Sequence, residues 1–445
     1  MKNRTIMLNR KICNKLAEWK NSPDKKPIII KGCRQCGKTF AVIEFAKANY
    51  KHVLYINFLE DKQAGLIFAD SLNAQYIISG LSALYGSQVP LIPHETCIIF
   101  DEIQQCPEAR TALKFLSIDG RFDILCTGSL LGVSGYVSQV KSIPVGYEEI
   151  VDMYPLDFEE WLWANGINDD IIDLLKNAMT NRTAVPTVIH NRMRQLMLQY
   201  VVIGGLPEAV ADFVDNKDFS RVLTIQKRIV TDYKDDVVKY ALQENKALIK
   251  ECFQSIPLQL SKENKKFQYS LVRKRGTADM FRGSLQWLED AGIIRRCYNL
   301  NITELPLDGN SIPDQFKVYM ADTGLFISML EQGTQYDILQ GNLLGYKGAI
   351  FENVIADIFS KMERKLYYYR KDSGLELDFL IRYNGQCTPV EIKATTGNAK
   401  SLKTVMAHPE KYHISQAFKL GDYNVGQTGD IVTLPLYMAF LLTAY

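Results

Sequence analysis

The sequence predicts an α/β protein, and two observations carry that prediction. Over residues 1–150, short apolar runs alternate with stretches of helical periodicity, as expected of a parallel sheet with crossover helices. After about Tyr154 the apolar residues recur mainly at helical spacing, and from about residue 313 strand and helix patterns mix again. The length of 445 residues exceeds one hydrophobic core and favours roughly two to four domains.

The strands of the first third are continuous apolar runs, the pattern of strands covered on both faces of a sheet. They are predicted at residues 27–30, 52–57, 96–100 and 123–127. A helix is predicted at residues 39–50, between the first two strands. This order of strand and helix indicates a domain over residues 1–150 that is built on a parallel sheet.

The rest of the chain divides by its periodicity. Residues 151–240 are predicted to be mainly helical, with a break at the tetrad Gly204-Gly205-Leu206-Pro207. Helical periodicity continues over residues 246–260, and residues 261–296 are predicted to form a small helical unit that ends in a β-ribbon beginning at GIIRRCYNL. Residues 301–314 are predicted to form a polar linker or wing. Residues 313–445 predict a mixed α and β domain, with a final strand and a packed helix after residue 431.

Composition is that of a globular protein, with 47% hydrophobic and 23% charged residues. A formal net charge of +2 is compatible with a local basic face, so it decides nothing about partners. No run reaches the roughly 18 apolar residues of a membrane-spanning helix, and residues 1–10 show no secretory signal. The nine cysteines follow no disulfide framework, which suits a reducing compartment and predicts a cytoplasmic protein without a membrane partner.

A phosphate-binding loop is predicted between the first strand and the first helix. It consists of Gly32, Cys33, Arg34, Gln35, Cys36, Gly37, Lys38 and Thr39. The loop matches the pattern G-x-x-x-x-G-K-[ST], whose glycines let N–H groups turn toward phosphate oxygens at a helix N-terminus. Lys38 is expected to reach the β- and γ-phosphates, and the Thr39 hydroxyl to bind Mg²⁺. The loop therefore predicts ATP and Mg²⁺ as cofactors.

Two carboxylates, Asp101 and Glu102, end the predicted strand of residues 96–100. Asp101 is expected to hold Mg²⁺ through water, and Glu102 to orient or deprotonate the attacking water. Downstream of a phosphate-binding loop, the pair predicts ATP hydrolysis rather than binding alone. Thr127 and Ser129, at the end of the next predicted strand, are candidates to position that water by a hydrogen bond, and the alternative is a simple turn.

Cys33 and Cys36 form a C-x-x-C pair within the loop. One interpretation is a redox or zinc pair, but no second C-x-x-C or histidine pair follows at zinc-site spacing. The other interpretation is that both cysteines fill variable positions of the loop, and the sequence favours it.

Several motifs run the length of the chain. They are GCRQCGKT, FDEIQ, CTGS, YPLDFEEWL, GGLPEAV, VYMADTGL, FENVIAD, YYYRKDSGLELDFLI and PVEIKA. Together they resemble a family of bacterial and archaeal AAA-type ATPases that share a C-terminal region of unknown function. The resemblance implies an AAA+ core over residues 1–150, a helical lid over 151–240, a winged helix over 241–312 and a restriction-endonuclease-like domain over 313–445. It also implies that Pro207 lies against the adenine, whereas the residue by itself is equally typical of a helix breaker.

One position departs from that resemblance. Family members commonly carry a Gly-Arg dipeptide shortly before the Tyr-Pro-Leu run, and the matching residues here are Val145, Gly146 and Tyr147. The departure puts a standard arginine finger in doubt. Arg121, just before a predicted core strand, is a substitute candidate.

A second constellation consists of Glu352, Asp378, Glu391 and Lys393. Strand alternation places Glu391 and Lys393 on one face. Carboxylates on adjacent strands are suited to hold one or two Mg²⁺ ions, and a lysine beside them to assist an attacking water. The spacing resembles the nuclease signature of the restriction-endonuclease-like fold, which predicts metal binding by the three carboxylates and catalysis by Asp378, Glu391 and Lys393. The alternative is a domain that serves only as a DNA clamp or a dimer surface.

Basic residues are dense around Tyr269 and precede a helix that contains Trp287. They are Lys262, Lys265, Lys266, Arg273, Lys274, Arg275 and Arg282. A solvated charged surface is one explanation. The favoured explanation is neutralisation of DNA phosphates, with strongly salt-dependent binding.

These observations predict an AAA+-type ATPase coupled to a DNA-binding C-terminal half, whose nuclease activity the sequence leaves undecided. A second class is a signalling or scaffolding ATPase that recruits a protein partner through an inactive nuclease-like domain. A third is a Mg²⁺-dependent nuclease gated by nucleotide. The expected partners are ATP, DNA and a protein, and the sequence leaves open whether that protein is another copy of this chain in a homo-oligomer.

Overall fold

The computed structural model describes residues 8–129, 146–240, 245–262, 265–342, 346–393 and 399–443. The chain forms two compact units. The first unit comprises Asn9–Pro155 with Asp290–Gly292, and the second comprises Leu156–Glu289 with Ile293–Tyr445. No helix in the described ranges combines the length and the apolar content needed to cross a membrane.

The first unit is a parallel sheet with helices between its strands. Its elements are α1 (Ile12–Asn21), β1 (Ile28–Lys31), α2 (Lys38–Asn49), β2 (His52–Asn57), α3 (Lys62–Asp70), α4 (Ala74–Tyr85), β3 (Thr96–Asp101), α5 (Pro107–Asp119), β4 (Asp123–Gly128) and β5 (Glu149–Asp152). The strand order is β2-β3-β4-β1-β5, and every neighbouring pair is parallel. The predicted α/β class and parallel sheet are confirmed for this part of the chain. The edge strand β5 was not predicted, because its residues are half-buried or exposed and show no apolar run.

The central strand β1 shows why this sheet has two cores. Alternate residues of a strand point to opposite faces. Ile29 packs into one apolar cluster, which includes Phe100. Ile28 and Ile30 pack into another, which includes Val42 of α2. Three consecutive isoleucines are therefore buried on both faces, as the continuous apolar run predicts.

The order of the strands positions a site at one edge of the sheet. Strands β3, β4 and β1 are neighbours and run in the same direction, so their carboxyl ends meet. β3 ends at Asp101, β4 at Gly128 and β1 at Lys31. The loop that follows β1 consequently lies beside the polar residues that end β3 and β4.

The second unit begins with helices and ends in a mixed sheet. Its helices are α6 (Phe158–Ala164), α7 (Asp169–Asn181), α8 (Thr187–Ile203), α9 (Pro207–Asn216), α10 (Phe219–Tyr240), α11 (Lys246–Leu260), α12 (Tyr269–Val272), α13 (Ala278–Asp290), α14 (Thr323–Ser328), α15 (Thr334–Gln340), α16 (Lys347–Lys361), α17 (Lys400–Met406) and α18 (Pro409–Tyr412). Its strands are β6 (Ile294–Leu300), β7 (Ser311–Met320), β8 (Leu366–Arg370), β9 (Glu376–Tyr383), β10 (Gln386–Lys393), β11 (Ala417–Gly421), β12 (Gly426–Thr428) and β13 (Ile431–Pro435). A 3-10 helix, Leu436–Leu441, follows β13 where the sequence predicted a packed helix.

The sheet of the second unit has the order β12-β13-β11-β10-β9-β8-β6-β7. The predicted ribbon is present as the antiparallel pair β6–β7. β6 also pairs in parallel with β8, so the ribbon continues the same sheet as the later strands. The domain boundaries remain predictions. The pairing of β6 with β8 nevertheless joins residues on both sides of the boundary predicted after residue 312. Sequence periodicity could not reveal this, because the β6–β8 contact joins residues about 70 positions apart.

Buried polar groups hold Leu156, where the second unit begins. The Lys361 ammonium donates to the Leu156 carbonyl oxygen at 3.1 Å and lies 2.7 Å from the Asp357 carboxylate. The Leu156 N–H donates to the Gly205 oxygen at 2.6 Å, and a Cβ on Gly205 would lie 2.0 Å from the Leu156 oxygen. Only glycine allows that approach. Pro207 occupies the first turn of α9, so it begins a helix rather than breaking one.

Candidate functional site

The loop between β1 and α2 is shaped by three backbone positions. Gly37 has φ of +95° and Gln35 of +62°, both in the left-handed region that turns the chain sharply. A Cβ on Gly32 would lie 2.0 Å from the Met153 carbonyl oxygen, so glycine is required by close packing. The residues of the predicted phosphate loop therefore form a compact turn directly before helix α2.

Two cations hold this loop. The Lys38 ammonium donates to the carbonyl oxygens of Gly32 at 3.0 Å and Cys33 at 2.8 Å, and the residue is only 7% exposed. The Arg10 guanidinium donates to the Cys36 carbonyl oxygen at 3.0 Å. Together with the N-terminus of α2, these groups make the loop a positively charged setting for phosphates. Sequence reasoning missed Arg10, because it lies 26 positions before its partner and outside any motif.

Asp101, at the end of β3, is the centre of a hydrogen-bond network. The Thr39 hydroxyl donates to Oδ1 at 3.0 Å, and the Thr127 hydroxyl donates to the same oxygen. The Tyr55 hydroxyl donates to Oδ2 at 2.6 Å, and the Asn57 amide at 3.3 Å. The carboxylate is 3% exposed and all four donors are neutral, so its negative charge is oriented without being cancelled.

Tyr55 and Asn57 are site residues that sequence reasoning missed. Asn57 lies directly opposite Asp101 in the pairing of β2 with β3, and Tyr55 is two positions earlier on the same face. The signal was present in HVLYIN, whose last residues alternate polar and apolar side chains. It could be used only once β2 was known to be the neighbour of β3.

Glu102 follows β3 in a left-handed conformation, with φ of +52°. Such a conformation is costly for a residue with a side chain and is often found at functional sites. The Gln104 amide donates to the Glu102 carboxylate. Ser129, at the end of β4, has a buried hydroxyl with no hydrogen-bond partner among the residues that the structure describes. The catalytic roles assigned to Glu102, Thr127 and Ser129 remain predictions.

Thr39 and Asp101 fit the Mg²⁺ ion that a nucleotide site requires. Their side-chain oxygens lie 3.0 Å apart, and hydroxyl and carboxylate oxygens are the ligands that Mg²⁺ prefers. An ion held there would neutralise charge on the phosphates and on the leaving group.

The arginine-finger candidates have other partners. The Arg121 guanidinium donates to the Asp119 carboxylate at 2.9 Å and to the Gln75 side chain at 2.9 Å. Tyr147 lies beneath the Lys114 ammonium, 5.3 Å from the ring centroid. Val145 lies outside the described residues. Pro207, the predicted adenine contact, belongs to the second unit, and its role remains a prediction.

The phosphate loop, its lysine and hydroxyl, and the carboxylate on a neighbouring strand define a P-loop NTPase-like core. Residues 24–162 match the family model described as an AAA domain. The core is thus AAA-type and ATPase-like, as the motifs indicated. Residues 194–336 and 347–437 match two domains of unknown function, DUF8612 and DUF4143. Those matches do not confirm a restriction-endonuclease-like domain.

Several solved structures are similar to this chain. The Walker-type ATPase PABY2304 of Pyrococcus abyssi is 14% identical, with a TM-score of 0.46, over 73% of this chain and 97% of that one. The ORC2 protein of Aeropyrum pernix in its ADP form is 14% identical, with a TM-score of 0.32, over 76% and 96%. The ORC1 protein of Aeropyrum pernix in complex with DNA is 13% identical, with a TM-score of 0.28, over 76% and 93%. No curated protein matches the chain.

The predicted C-terminal constellation comes together in the second unit. Asp378 on β9 accepts the N–H of Ile392 at 2.8 Å, which joins it to β10. On β10 the Lys393 ammonium contacts the Glu391 carboxylate at 2.6 Å. Glu352, on α16, is near enough for its charge to act on both other carboxylates. The structure therefore brings the four predicted residues into one cluster.

Two lysines that the sequence did not assign to this cluster neutralise Glu352. The Lys265 ammonium contacts one oxygen of the Glu352 carboxylate. The fully buried Lys317 ammonium lies 3.7 Å from the other oxygen and 2.7 Å from the Glu376 carboxylate. The Tyr319 hydroxyl also donates to Glu352, at 3.1 Å. Lys265 was predicted as a phosphate contact, and the structure gives it a carboxylate instead.

The three carboxylates differ in their readiness to ionise. Burial, with the charges of Glu391 and Glu352, raises the pKa of Asp378 well above its usual value. Burial also raises the pKa of Glu391, although Lys393 opposes it. Burial acts in the same direction on Glu352, but the charges of Lys317 and Lys265 outweigh it and leave its pKa lowered. The lysines thus favour ionisation of Glu352, whereas burial opposes ionisation of Asp378 and Glu391.

This arrangement fits a metal ion only in part. Among the described residues, no group of three or more histidine, cysteine, aspartate or glutamate side chains is arranged to hold a metal. Glu352, predicted as a ligand, is occupied by Lys265 and Tyr319. The Oε2 atom of Glu391 is buried and lacks a hydrogen-bond partner within the described ranges, so it is the atom that fits a cation best.

The basic cluster around Tyr269 is smaller than the sequence predicted. Arg273 contacts the Glu251 carboxylate at 2.6 Å, and Lys265 is committed to Glu352. Tyr269 itself stacks on Phe281 at a centroid distance of 6.4 Å. Lys266 is half-buried, and four exposed cations remain on this surface: Lys262, Lys274, Arg275 and Arg282.

Proposed function

We propose that this protein hydrolyses ATP with Mg²⁺ at the loop of residues 32–39, and that its second unit binds nucleic acid in a nucleotide-dependent way. The observation that carries the first part is the network in which Thr39 and Thr127 share one oxygen of Asp101. It joins the phosphate loop to two neighbouring strand ends, where the metal and the water of hydrolysis are needed.

Each residue contributes one step to that chemistry. The loop N–H groups and the Lys38 ammonium bind the phosphates, which requires Lys38 to exchange its loop carbonyls for phosphate oxygens. Tyr55 and Asn57 fix the orientation of the Asp101 carboxylate. Glu102 accepts the proton of the attacking water, and Gln104 holds the Glu102 carboxylate in place.

Two substitutions separate binding from hydrolysis. Lys38→Ala removes the charge that compensates the phosphates, and tight ATP binding should be lost. Glu102→Gln keeps the shape of the side chain but removes the base, so ATP should bind while turnover falls about 100-fold or more. Lys47→Ala is the matched control, because its ammonium lies on the same helix and is 63% exposed. Normal steady-state hydrolysis in Glu102→Gln would overturn the assignment of that residue.

Nucleic-acid binding is supported by the four exposed cations near α12 and α13. Lys274 and Arg275 are adjacent, and Arg282 is 68% exposed, 3.7 Å from a single carboxylate, that of Asp314. Exposed cations with few internal partners are free to neutralise phosphates, and each contact releases counterions.

A salt titration tests this part. The double variant Lys274→Ala and Arg282→Ala should weaken binding to generic duplex DNA and reduce the slope of log K against log salt by about 2. The control is Lys176→Ala with Lys403→Ala, which removes the same charge from exposed positions elsewhere in the second unit. Equal effects of the two double variants, or no salt-dependent binding by the parent protein, would favour a scaffolding ATPase that recruits a protein.

A second candidate function, a Mg²⁺-dependent nuclease, is favoured by one observation. The Oε2 atom of Glu391 is buried without a hydrogen-bond partner among the described residues, beside Asp378 and Lys393. Loss of DNA cleavage in Glu391→Ala, with ATP hydrolysis retained, supports this activity. Absence of cleavage by the parent protein in Mg²⁺ and in Mn²⁺ removes it.

A further inference from the structure

Cys33 and Cys36 meet inside the phosphate loop. Gln35 lies between them with φ of +62°, and this left-handed turn reverses the chain so that the two side chains face each other. The Cys33 thiol donates a hydrogen bond to the Cys36 sulfur. Neither Cys33 nor Cys36 is in a disulfide, and they are 6% and 0% exposed. The two sulfurs are therefore within hydrogen-bond reach of each other.

Positive charge surrounds the Cys36 sulfur. The Lys38 ammonium lies 3.9 Å from it, and the Arg10 guanidinium binds the carbonyl group of the same residue at 3.0 Å. Helix α2 begins two residues later with its positive dipole end. The hydrogen bond from Cys33 is the largest cause that lowers the pKa of Cys36 to about 6; burial opposes it, and Lys38 and Arg10 assist. The Cys36 thiol also donates a hydrogen bond to the Met153 carbonyl oxygen at 3.4 Å, and its lowered pKa favours loss of that proton to give the thiolate, which is the nucleophilic form.

Other cysteines of the chain show the opposite behaviour. Burial raises the pKa of six of them: Cys97, Cys106, Cys126, Cys252, Cys297 and Cys387. Buried thiols of that kind are unreactive. The reactive environment of Cys36 is therefore a property of the phosphate loop and not of cysteine burial in general.

We propose that Cys33 and Cys36 form a redox modification site, at which a hydroperoxide makes an intramolecular disulfide that closes the phosphate loop to ATP. This inference rests on the proposed nucleotide site, since it describes the regulation of that site. Because Cys36 is 0% and Cys33 6% exposed, the loop has to open before an oxidant reaches the attacking sulfur, and this restricts the oxidant to small molecules such as hydrogen peroxide.

The reaction balances in two steps. The Cys36 thiolate attacks one oxygen of hydrogen peroxide, so that an S–O bond forms, the O–O bond breaks, and the leaving hydroxide takes a proton to become water. The Cys33 sulfur then attacks the Cys36 sulfenic acid, an S–S bond forms, and the hydroxyl leaves with the Cys33 proton as a second water. Two thiols are oxidised by two electrons, and the peroxide is reduced to two waters.

The disulfide changes the loop in two ways. It draws the two sulfurs to about 2.05 Å, which fixes the turn between them. It also removes the thiolate charge that faces the Lys38 ammonium, which by itself favours an anion, so the constraint on the turn has to outweigh this effect. Phosphate binding requires Lys38 and the loop N–H groups to adjust around the anion, and a closed ring at residues 33–36 opposes that adjustment.

The position of Arg34 gives a direct readout of the modification. Trypsin cleaves after Lys31, Arg34 and Lys38, so it separates the two cysteines into peptides of residues 32–34 and 35–38. After treatment with hydrogen peroxide these peptides should remain joined, and a reductant should release them. Cys33→Ser should abolish the joined species, whereas Cys13→Ser should retain it.

Nucleotide binding is then compared within each protein, before oxidation, after it, and after re-reduction. The parent protein and Cys13→Ser should bind ATP about tenfold more weakly or worse when oxidised, and recover on reduction. Cys33→Ser should show no reversible change relative to its own reduced state. By reciprocity a tenfold loss of affinity corresponds to a disulfide that is more easily reduced by about 30 mV when ATP is saturating.

The outcomes distinguish this inference from the proposed function. If the fully reduced parent protein fails to bind ATP, the nucleotide site itself is wrong. If the reduced protein binds ATP but the peptides never join, or if they join while ATP affinity is unchanged, the redox site is overturned. A reversible loss of affinity in Cys33→Ser would also overturn it, because another residue would then be responsible.

Discussion

Asp101 in the first unit and Glu352 in the second are buried to a similar degree, but Asp101 has neutral hydrogen-bond partners and Glu352 has cationic ones. Asp101 is 3% exposed and receives its hydrogen bonds from hydroxyl and amide groups, which orient its charge without cancelling it. Glu352 is 7% exposed and is met by the ammonium groups of Lys265 and Lys317. The first arrangement leaves a buried negative charge available to a cation, whereas the second already contains its cations.

This difference indicates which of the two sites is suited to bind a ligand. A charge that only neutral dipoles stabilise is costly until a counterion arrives, so it favours binding. A charge that lysines neutralise is stable without a ligand. Removing one partner of such a buried pair leaves the other charge uncompensated and destabilises the fold. Substitutions at the two sites should consequently affect different quantities: nucleotide turnover at Asp101, and folding stability around Glu352.

The largest expected effect is on stability. Lys317→Met should lower the free energy of unfolding of the second unit by about 3–5 kcal/mol, because it leaves Glu352 and Glu376 without their buried cation. The control is Lys365→Met, which removes an ammonium that is 73% exposed and pairs with an exposed carboxylate, and should cost under about 1 kcal/mol. Denaturant unfolding measures both. Equal costs would show that the buried lysine does not stabilise the cluster.

The next effect is on turnover. Asp101→Asn keeps the size of the side chain and removes the charge that would face Mg²⁺, so kcat should fall about 100-fold or more while the unfolding midpoint changes little. ATP hydrolysis at increasing Mg²⁺ concentration tests it. A variant with unchanged kcat and Mg²⁺ dependence would show that Asp101 is structural, like Glu352.

A third prediction concerns pH. Because the pKa of Asp378 is raised in the folded state, its favourable contribution is complete below about pH 4 and is lost as the pH rises through the folded value. Asp378→Asn does not ionise and can still accept the Ile392 N–H. Its stability relative to the parent protein should therefore improve by on the order of 1 kcal/mol between pH 5 and pH 8. An unchanged difference over that range would contradict the raised pKa.

The smallest effect isolates one hydrogen bond. Tyr55→Phe removes the 2.6 Å donor to Asp101 and leaves the ring in place. Because Thr39, Thr127 and Asn57 still bind the carboxylate, the loss of transition-state stabilisation should be about 0.5–1.5 kcal/mol. The ratio of kcat/KM for parent and variant gives this value directly. A loss as large as that of Asp101→Asn would mean that Tyr55 itself takes part in the chemistry.

Much of the first site could be predicted from the sequence because its signals are local. Residues 32–39 specify a turn and a helix start within eight positions, and Asp101 ends a fully buried strand whose residues 97–100 are apolar. The parallel arrangement of those strands then follows from the alternation of strand and helix. The grouping of Glu352, Asp378, Glu391 and Lys393 was expected from the resemblance to a nuclease signature, with strand alternation pairing only Glu391 and Lys393, and the structure brings the four together.

What could not be predicted depends on contacts between distant positions. Tyr55 and Asn57 reach Asp101 only because β2 pairs with β3. Arg10, which lies just before α1 and belongs to no motif, binds the Cys36 carbonyl oxygen of the loop. Lys265 lies 87 positions from Glu352, and nothing in its neighbourhood distinguishes it from the exposed cations around it. The β6–β7 ribbon joins the later strands for the same reason, through pairing with β8.

The sequence by itself therefore determined the phosphate loop, the strands β1 to β4 and the helix α2 that follows the loop, and the residue types available for chemistry. Backbone angles and apolar periodicity are short-range properties, and they are written into consecutive residues. Only the tertiary structure decided which buried carboxylates remain available to a cation and which are neutralised by lysines. That outcome depends on burial and on the partner within about 4 Å, and for Asp101 and Glu352 those partners come from distant parts of the chain.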